Sequence, residues 1–541
     1  MRLSCNCLSK LPLDFVIQDG HFIQATSITF ARRAVRNASV IIVGAGIGGL
    51  VAAIELARQG VKVTVLERAA QPGGKMRPAD IGGLSLDTGP TVFTMRWVLD
   101  AICERAGARL DELVTLRPAE TLARHWWPDG SRLDLFADTD RSADAIGQLA
   151  GAREADGFRR FSNASGDVFR TLEQSFIEAT RPSLPMLIGR CGISGLPRLA
   201  RIKPFATLWG ELGRYFRDPR LRQLFARYAT YCGSSPFAAP ATLMLVAHAE
   251  SRGVWLVREG MHGLATAMAG LARQQGAVLR YGAHVASLRT CGGAVEHVTL
   301  DNGETLHADA FIWNGDASAL RGALRGALMH DANRGSSAHM PIEDRSLSAV
   351  TWSMTTTLPQ FPLDRHNVFF SADYAAEFDD IFTHGRLPRA PTIYICAQDR
   401  PRAASADTHA ALDGRERLLC LVNAPATGDL TPSNSTEIEA CETGTFARLA
   451  QLGLRLAPTA DTTLRRTPVD YEAMFPGTGG ALYGRASHGW MASFKRPGSA
   501  TSIPNLFLAG GSTHPGPGVP TSAISGRLAA QAALQGLTSA A

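Results

Sequence analysis

No CxxC pair occurs among the nine cysteines, which stand singly apart from Cys5 and Cys7. That excludes a zinc ribbon or a disulfide framework as the organising device and fits a reducing compartment, the cytoplasm. There is no lysine or arginine block of the nucleic-acid-binding kind. The net charge of +6 comes mainly from arginines scattered along 541 residues, which favours an anionic membrane surface only mildly and gives no reason to expect nucleic acid as a partner. A membrane-spanning helix needs about 20 mostly apolar residues with its backbone satisfied internally. Three uncharged runs, 37–54, 228–249 and 501–526, fail that test. The first holds a glycine turn, the second carries Gly233, Pro236 and Pro240, and the third is broken by Pro504, Pro515, Pro517 and Pro520. A soluble or peripheral protein is expected. Neither GxSxG nor HExxH nor any metal-ligand spacing is present, so a serine-hydrolase elbow and a metal centre are not expected.

What is there begins at residues 39–67, SVIIVGAGIGGLVAAIELARQGVKVTVLE. A short apolar strand runs into Gly44-Ala45-Gly46-Ile47-Gly48-Gly49. Helical spacing follows to Gln59, Gly60 stops it, and a second strand closes on Glu67. This order has a physical reading. Gly44 permits a tight turn, Gly46 lets a pyrophosphate approach the backbone, and Gly49 lets helix and strand pack closely. The helix start offers unpaired N–H groups and roughly half a positive charge to phosphates. Glu67, 23 residues after Gly44, can accept hydrogen bonds from both ribose hydroxyls of an adenosine. A glycine triplet alone is weak, but strand, helix and acid together predict dinucleotide binding.

Beyond Glu67 come Arg68 to Arg77 (RAAQPGGKMR) and Leu86 to Thr94 (LDTGPTVFT). Gly73-Gly74 again lets backbone approach something bulky, and Lys75 or Arg77 can reach a phosphate. Glycine turn, acid, GGKMR and DTGPT in this order resemble the flavin-binding half of the phytoene desaturase and amine oxidase superfamily. The resemblance implies FAD as the dinucleotide, with the second glycine pair and the Asp-x-Gly-Pro turn beside its pyrophosphate and flavin.

Residues 95–250 read as mostly helical, with short strands near 123–127 and 132–136. Phe205, Leu208, Trp209, Leu212, Tyr215 and Phe216 fall on one helical face, surrounded by Arg198, Arg201, Lys203, Arg214, Arg217, Arg220 and Arg222. A core helix with solvated arginines is the first reading, and a membrane-docking face is the second. A helix over 260–271 and a strand over 278–288 then return, by the resemblance, to the flavin domain, where Val285 sits at a backbone contact to adenine. The strand 308–313 ends in Asn314-Gly315-Asp316, similar to the family's return turn, although Asp316 could simply cap the next helix. Residues 327–347 read as a loop. Apolar runs at 348–356, 367–371, 392–397 and 418–423 predict a second, mixed sheet, residues 399–416 an exposed stretch, and 443–454 a helix.

The C-terminal segment reads FPGTGGALYGR at 475–485 and NLFLAGGSTHPGPGVPTSAISG at 505–526. A strand, Gly510-Gly511, a proline-rich loop and a helix beginning near Val519 would aim a helix start at the pyrimidine edge of a flavin. Gly477-Thr-Gly-Gly follows Met474-Phe-Pro rather than a strand, so no second dinucleotide site and no nicotinamide cofactor are expected.

Likeness extends from about Val40 to Ala530. GGKMR, GPTVFTMRWV, RYATYCGSSPFAAPATL, VREGMHGLA, FPGTGGALYGRASHGW and LAGGSTHPGPGVP look most like the bacterial hydroxyneurosporene (1-hydroxycarotenoid 3,4-) desaturases. The resemblance implies an α/β fold, with a Rossmann-like FAD-binding domain of the glutathione-reductase and amine-oxidase type interleaved with a mixed α+β substrate domain. It implies a disordered extension (1–37), FAD-binding parts at 38–145, 255–326 and 465–541, a helical substrate- or membrane-facing part at 146–254 and a substrate sheet at 327–464. Cofactor contacts are expected at Gly44, Gly46, Gly48, Gly49, Glu67, Arg68, Gly74, Lys75, Gly89, Pro90, Val285, Gly510, Gly511, Gly518 and Val519. The expected partners are a carotenoid, a membrane surface bound peripherally, and oxygen or a quinone as electron acceptor. Glu250, Glu259 and His262 lie near motif segments, yet each reads better as structural, so no catalytic base is named. A phytoene desaturase, a flavin amine oxidase and a non-catalytic prenyl-lipid carrier of the GDP-dissociation-inhibitor kind remain open alternatives.

Overall fold

Val40, Ile41 and Ile42 are β-branched, stiff at χ1 and suited to a pleated surface, and they make Ser39–Val43 the central strand of a five-stranded sheet. Its order is Val278–Tyr281, Lys62–Glu67, Ser39–Val43, Ala310–Trp313, Leu506–Leu508, with every pairing parallel. Strands from the start, middle and end of the chain thus lie side by side. Their carboxyl ends release Gly44, Arg68, Asn314 and Ala509 along one edge. In an open parallel sheet that edge, at the point where strand order reverses, is where ligands bind.

The structure is a computed structural model that describes residues 15–18, 21–24, 37–180, 183, 185–190, 192, 202–203, 205–326, 340–358, 361–400, 414–430 and 435–539. Most of the extension at 1–37, and much of the loop at 327–347 and of the stretch 399–416, lies outside these residues. Within the extension, Phe15–Gln18 and His21–Gln24 pair as an antiparallel hairpin.

Helix Ile47–Ala57 is buried over its whole length, between helix Gly260–Gln274 and the C-terminal helix Val519–Ser539. Complete burial explains why its sequence is apolar all round instead of striped. A four-stranded sheet carrying Val285–Cys291 packs below this layer.

The second body is a seven-stranded mixed sheet. Its order is Thr463–Arg466, Ser348–Thr356, Glu416–Ala424, Ile393–Ala397, His366–Phe369, Thr121–Trp126, Arg132–Phe136. Only His366–Phe369 and Thr121–Trp126 run parallel. The last two strands lie inside the stretch 38–145 assigned above to the cofactor domain, so the chain leaves the cofactor layer before residue 121. One sheet face (Val350, Trp352, Ile395, Cys420, Val422) packs with Cys441 and Leu449 of helix Ser435–Gln451. The opposite face carries His125, His366, Val368 and Tyr394 toward the cofactor layer and the helices.

Those helices include Thr139–Ala150, Ala152–Leu172, Pro219–Ala226 and Leu245–Ser251, around the rings of Phe158, Phe161, Phe216 and Phe225. The helical face expected over 205–216 shrinks to Leu208–Leu212, because Thr207 caps its start and Gly213 closes it. Leu208, Leu212 and Phe216 are core, whereas Phe205 is 76% exposed. Of the surrounding cations, Arg198 and Arg201 lie outside the described residues. Lys203 and Arg214 pair with Glu211, Arg220 pairs with Asp218, and Arg222 lies over the Trp209 ring. Among the described residues no helix is long and apolar enough to cross a membrane.

Candidate cofactor and substrate site

Backbones cross here at distances only glycine allows. A Cβ on Gly49 would stand 2.1 Å from the Gly44 carbonyl oxygen, and one on Gly48 would stand 2.6 Å from Asn314 Oδ1 and 3.0 Å from Gly510 N. On Gly89 it would strike the Lys75 carbonyl oxygen at 1.8 Å, and on Gly74 it would lie 3.2 Å from Gly46 Cα. The first glycine turn, GGKMR, DTGPT and the C-terminal loop therefore form one stack. Gly526 of the C-terminal helix rests on Gly48, and Gly511 faces Ser522 of the same helix. Gly518 and Val519 begin that helix, with Thr521 Oγ1 donating to the Pro517 and Gly518 carbonyls at 2.7 and 3.1 Å. Gly44 adopts φ +102°, open to glycine at no steric cost, and its N–H donates to Leu66 O at 2.7 Å.

Gly46 caps helix Ile47–Ala57 without any side chain bonding to the first-turn N–H groups, which leaves an electropositive start of the kind that binds phosphate. Glu67 is 7% exposed and accepts from Ala45 N at 2.7 Å and Ala69 N at 2.9 Å. Each carboxylate oxygen keeps acceptor capacity for a further donor. Ala283 N donates to Glu67 O at 2.9 Å, and this contact brings buried Val285 to the same strand end. Arg68 points elsewhere, toward the Ala473 carbonyl at 3.5 Å. The side chain of Asn314 donates to Gly44 O and Gly46 O at 3.1 and 3.4 Å, and its Oδ1 is buried with no partner among the described residues.

Two cations complete the stack, Lys75 solvent-exposed and Arg496 buried. Lys75 Nζ donates to Leu482 O. Arg496, 5% exposed, donates to the carbonyls of Tyr483 (3.2 Å), Gly511 (3.3 Å) and Arg485 (2.6 Å). Neither forms a salt bridge among the described residues. Desolvation by the surrounding protein lowers both pKa values, with Asp316 opposing at each, Arg496's charge adding to the fall at Lys75 and Arg485's to that at Arg496. Asp316 also caps the next helix through Ser318 N at 2.9 Å. Surplus positive charge, an unpaired amide oxygen and an uncapped helix start together fit an anionic, hydrogen-bonding group.

A family model described as flavin containing amine oxidoreductase matches residues 47–534. The chain belongs to that family. Hydroxyneurosporene desaturase of Rubrivivax gelatinosus is 49% identical over 505 residues, covering 93% of this chain and 94% of that protein. Its counterpart in Cereibacter sphaeroides is 44% identical, covering 92% and 98%. Phytoene dehydrogenase of Streptomyces griseus is 33% identical, covering 91% and 94%. Among solved structures, an oxidoreductase from Methanosarcina mazei overlays with TM-score 0.58 at 16% identity, covering 90% of this chain and 99% of that one. A putrescine oxidase redesigned in its cofactor binding overlays at 0.57 and 13%, covering 93% and 99%. The cofactor of this flavin oxidoreductase is FAD, and the fold is the flavin amine oxidase type.

The remaining motif residues of this flavin oxidoreductase, the His262 ring excepted, bond within the protein. Asp87 accepts from Met261 N (2.6 Å) and His262 N (3.1 Å), capping helix Gly260–Gln274. Gln398 brackets the Asp87 backbone at 3.1 and 2.7 Å, tying the turn that carries Gly89 and Pro90 to the second sheet. At 477–480 the glycine nest is filled by the chain's own carboxylate: Glu472 accepts from Gly477, Thr478 and Gly480 N at 2.7, 3.1 and 3.0 Å. Glu250, 2% exposed, is held by Arg227 (3.2 Å), Tyr231 (2.9 Å) and Tyr228. Glu259 accepts from Thr115 N at 3.1 Å. His262 Nε2 is buried without a partner among the described residues. Sequence reasoning passed over Arg496, since nothing in KRPGSA marks it; only the three converging carbonyls do.

Proposed function

We propose that this chain is a carotenoid desaturase that introduces the C3–C4 double bond into a 1-hydroxycarotenoid such as 1-hydroxyneurosporene. The observation that carries the reading is likeness of 42–49% over nearly the full length of three hydroxyneurosporene desaturases, against 33% to a phytoene dehydrogenase. FAD, when bound, supplies a two-electron acceptor that takes hydride at N5. We assign its binding to Gly44, Gly46, Gly48, Gly49, Glu67, Gly74, Lys75, Gly89, Pro90, Val285, Gly510, Gly511, Gly518 and Val519, and add Asn314 and Arg496. Lys75 and Arg496 bring positive charge to an anionic cofactor. Arg68 has a weaker claim, its guanidinium being turned toward Ala473. No side chain is assigned as base, because a proton beside a polyene-stabilised cation is acidic enough for water to take.

A carotenoid of about 40 carbons, at roughly 0.8 kcal/mol per CH₂, would cost on the order of 30 kcal/mol in water. The substrate therefore enters from a bilayer to which the protein binds peripherally. Exposed Phe205 and Trp490, 5.1 Å apart edge to face, support docking there. The two electrons taken from the substrate would leave to oxygen or a membrane quinone. Chromatography of products from 1-hydroxyneurosporene and phytoene, given separately to FAD-loaded protein with liposomes, tests the reading. A 3,4-desaturated product from the first alone supports it. Desaturation of phytoene alone moves the chain to phytoene desaturation, and a protein that holds no flavin would be a carrier.

A further inference from the structure

A hydroxylated polyene has one polar atom, and on the substrate-side face of the seven-stranded sheet His366 holds a buried ring nitrogen with nothing to bond among the described residues. His366, on strand His366–Phe369, is 2% exposed. Its Nδ1 lies 2.7 Å from Tyr394 OH, which lies 2.7 Å from Thr91 Oγ1. The imidazole stacks on the Tyr394 ring, centroids 6.2 Å apart and planes 18° from parallel. The ring is held at one edge. At the other, Nε2 is buried and has no hydrogen-bond partner among the described residues. Buried Arg227 is engaged elsewhere, with His125 Nε2 (3.2 Å), Tyr231 OH (2.7 Å) and Glu250 (3.2 Å).

Thr91 places this chain of hydrogen bonds next to the cofactor stack, since it directly follows the turn in which Gly89 crosses Lys75. In the proposed substrate the hydroxyl sits on C1, two and three carbons from the bond to be made. A polar anchor for it has to lie beside the cofactor, not at the far end of a tunnel. His366 meets that requirement and Val368 beside it is apolar.

Resting on the carotenoid-desaturase reading, we infer that His366 Nε2 is the hydrogen-bond partner of the substrate's tertiary hydroxyl and selects hydroxylated over plain polyenes. A neutral imidazole bonded to Tyr394 through Nδ1 presents either N–H or a lone pair at Nε2, and a hydroxyl satisfies both. Burial, reinforced by Arg365 and Arg227, pulls the ring down to about 3. The group is thus a neutral anchor at pH 7 and a poor base; it positions C3 and C4 and takes no proton. Without the hydroxyl, Nε2 stays desolvated and unpaired, which is how a polar site rejects an apolar analogue.

The test compares kcat/KM for 1-hydroxyneurosporene and neurosporene, together with equilibrium binding of both carotenoids read from the polyene absorbance shift. Wild type should favour the hydroxylated compound in both readouts. His366→Phe keeps the stacked ring and removes the bond; the preference should fall by about 10- to 100-fold through KM and affinity, with flavin content unchanged. His366→Gln should restore part of it, and Tyr394→Phe, which frees the ring's other edge, should lose less than His366→Phe. An unchanged preference in His366→Phe overturns the inference, as does a wild type that binds both compounds equally. If His366→Phe fails to fold, the comparison of His366→Gln with Tyr394→Phe decides, equal preference to wild type in both overturning it. Failure of the desaturase reading looks different: neither compound is turned over, while the binding arm still reports on the hydroxyl.

Discussion

Replacing Gly526 by alanine tests whether the start and end of the chain meet at the phosphate-binding turn. Gly526 lies within helix Val519–Ser539, where alanine by itself gains about 0.5–1 kcal/mol. Against that, its Cβ would stand 2.0 Å from Gly48 O, 2.8 Å from Gly48 C and 3.0 Å from Gly48 Cα. All three are backbone atoms in the first turn of helix Ile47–Ala57, so no side-chain rotation relieves the clash. The two helices must separate by over an ångström at their closest point. Overpacking of this kind costs about 1–3 kcal/mol, so the clash outweighs the propensity gain. Moving Gly48 also disturbs Asn314 and Gly510, whose atoms already sit within 3.0 Å of a Gly48 Cβ position. The expected result is a lower thermal midpoint and FAD affinity weakened about 10-fold or more, a factor worth about 1.4 kcal/mol. Calorimetry with and without added FAD, and flavin fluorescence titration, read the two effects. Gly270→Ala is the control, in a helix where a Cβ meets nothing within 4 Å; it should stabilise slightly. If Gly526→Ala behaved like Gly270→Ala, retaining flavin with a raised midpoint, the convergence of the chain's ends would be refuted.

Glu250→Gln leaves buried Arg227 without its carboxylate partner, and one-sided removal of a buried pair costs about 3–5 kcal/mol; a denaturant titration should show that loss. A fully stable variant would mean that Glu250 serves something other than this pair. His514, 1% exposed, is pulled down to about 4 from 6.5, first by burial. The unfolded chain therefore takes up a proton at this residue before the folded one does. Stability should fall as pH drops from 6.5 toward 4, by up to about 3 kcal/mol, and His514→Gln should flatten the stability profile across that window.

The cofactor half was legible because its chemistry constrains the backbone locally: turn, helix and acid lie within thirty residues, and Glu67 closes back on Ala45. Strand Ser348–Thr356 was legible to the residue, since Val350, Trp352 and Met354 alternate with Thr351, Ser353 and Thr355 at the period of a strand. The aromatic face at 205–216 misled, because spacing alone does not reveal that Thr207 and Gly213 bracket only five helical residues. Glu472 filling the 477–480 nest, and Arg496 reaching three carbonyls, depend on chain segments that meet only after folding. The same is true of His366: its neighbours Tyr394 and Thr91 are 28 and 275 positions away, and its sequence context is an ordinary strand.

The two sides of the site handle charge in opposite ways, and the substrate explains why. On the cofactor side exposed Lys75 and buried Arg496 have no carboxylate partners among the described residues, an arrangement suited to an anion that shares the desolvation cost at Arg496. On the polyene side a hydrocarbon brings no such compensation, so the ionisable groups His366, Tyr231, Arg227 and Glu250 have to be neutral or cancel internally. His366 is held at about 3, burial pushes Tyr231 up so that it stays a phenol, and Arg227 and Glu250 neutralise each other at 3.2 Å. A charge introduced on the polyene face, as in Val368→Lys, should therefore abolish carotenoid turnover while leaving FAD bound; the same lysine would be harmless in a site built for a polar amine.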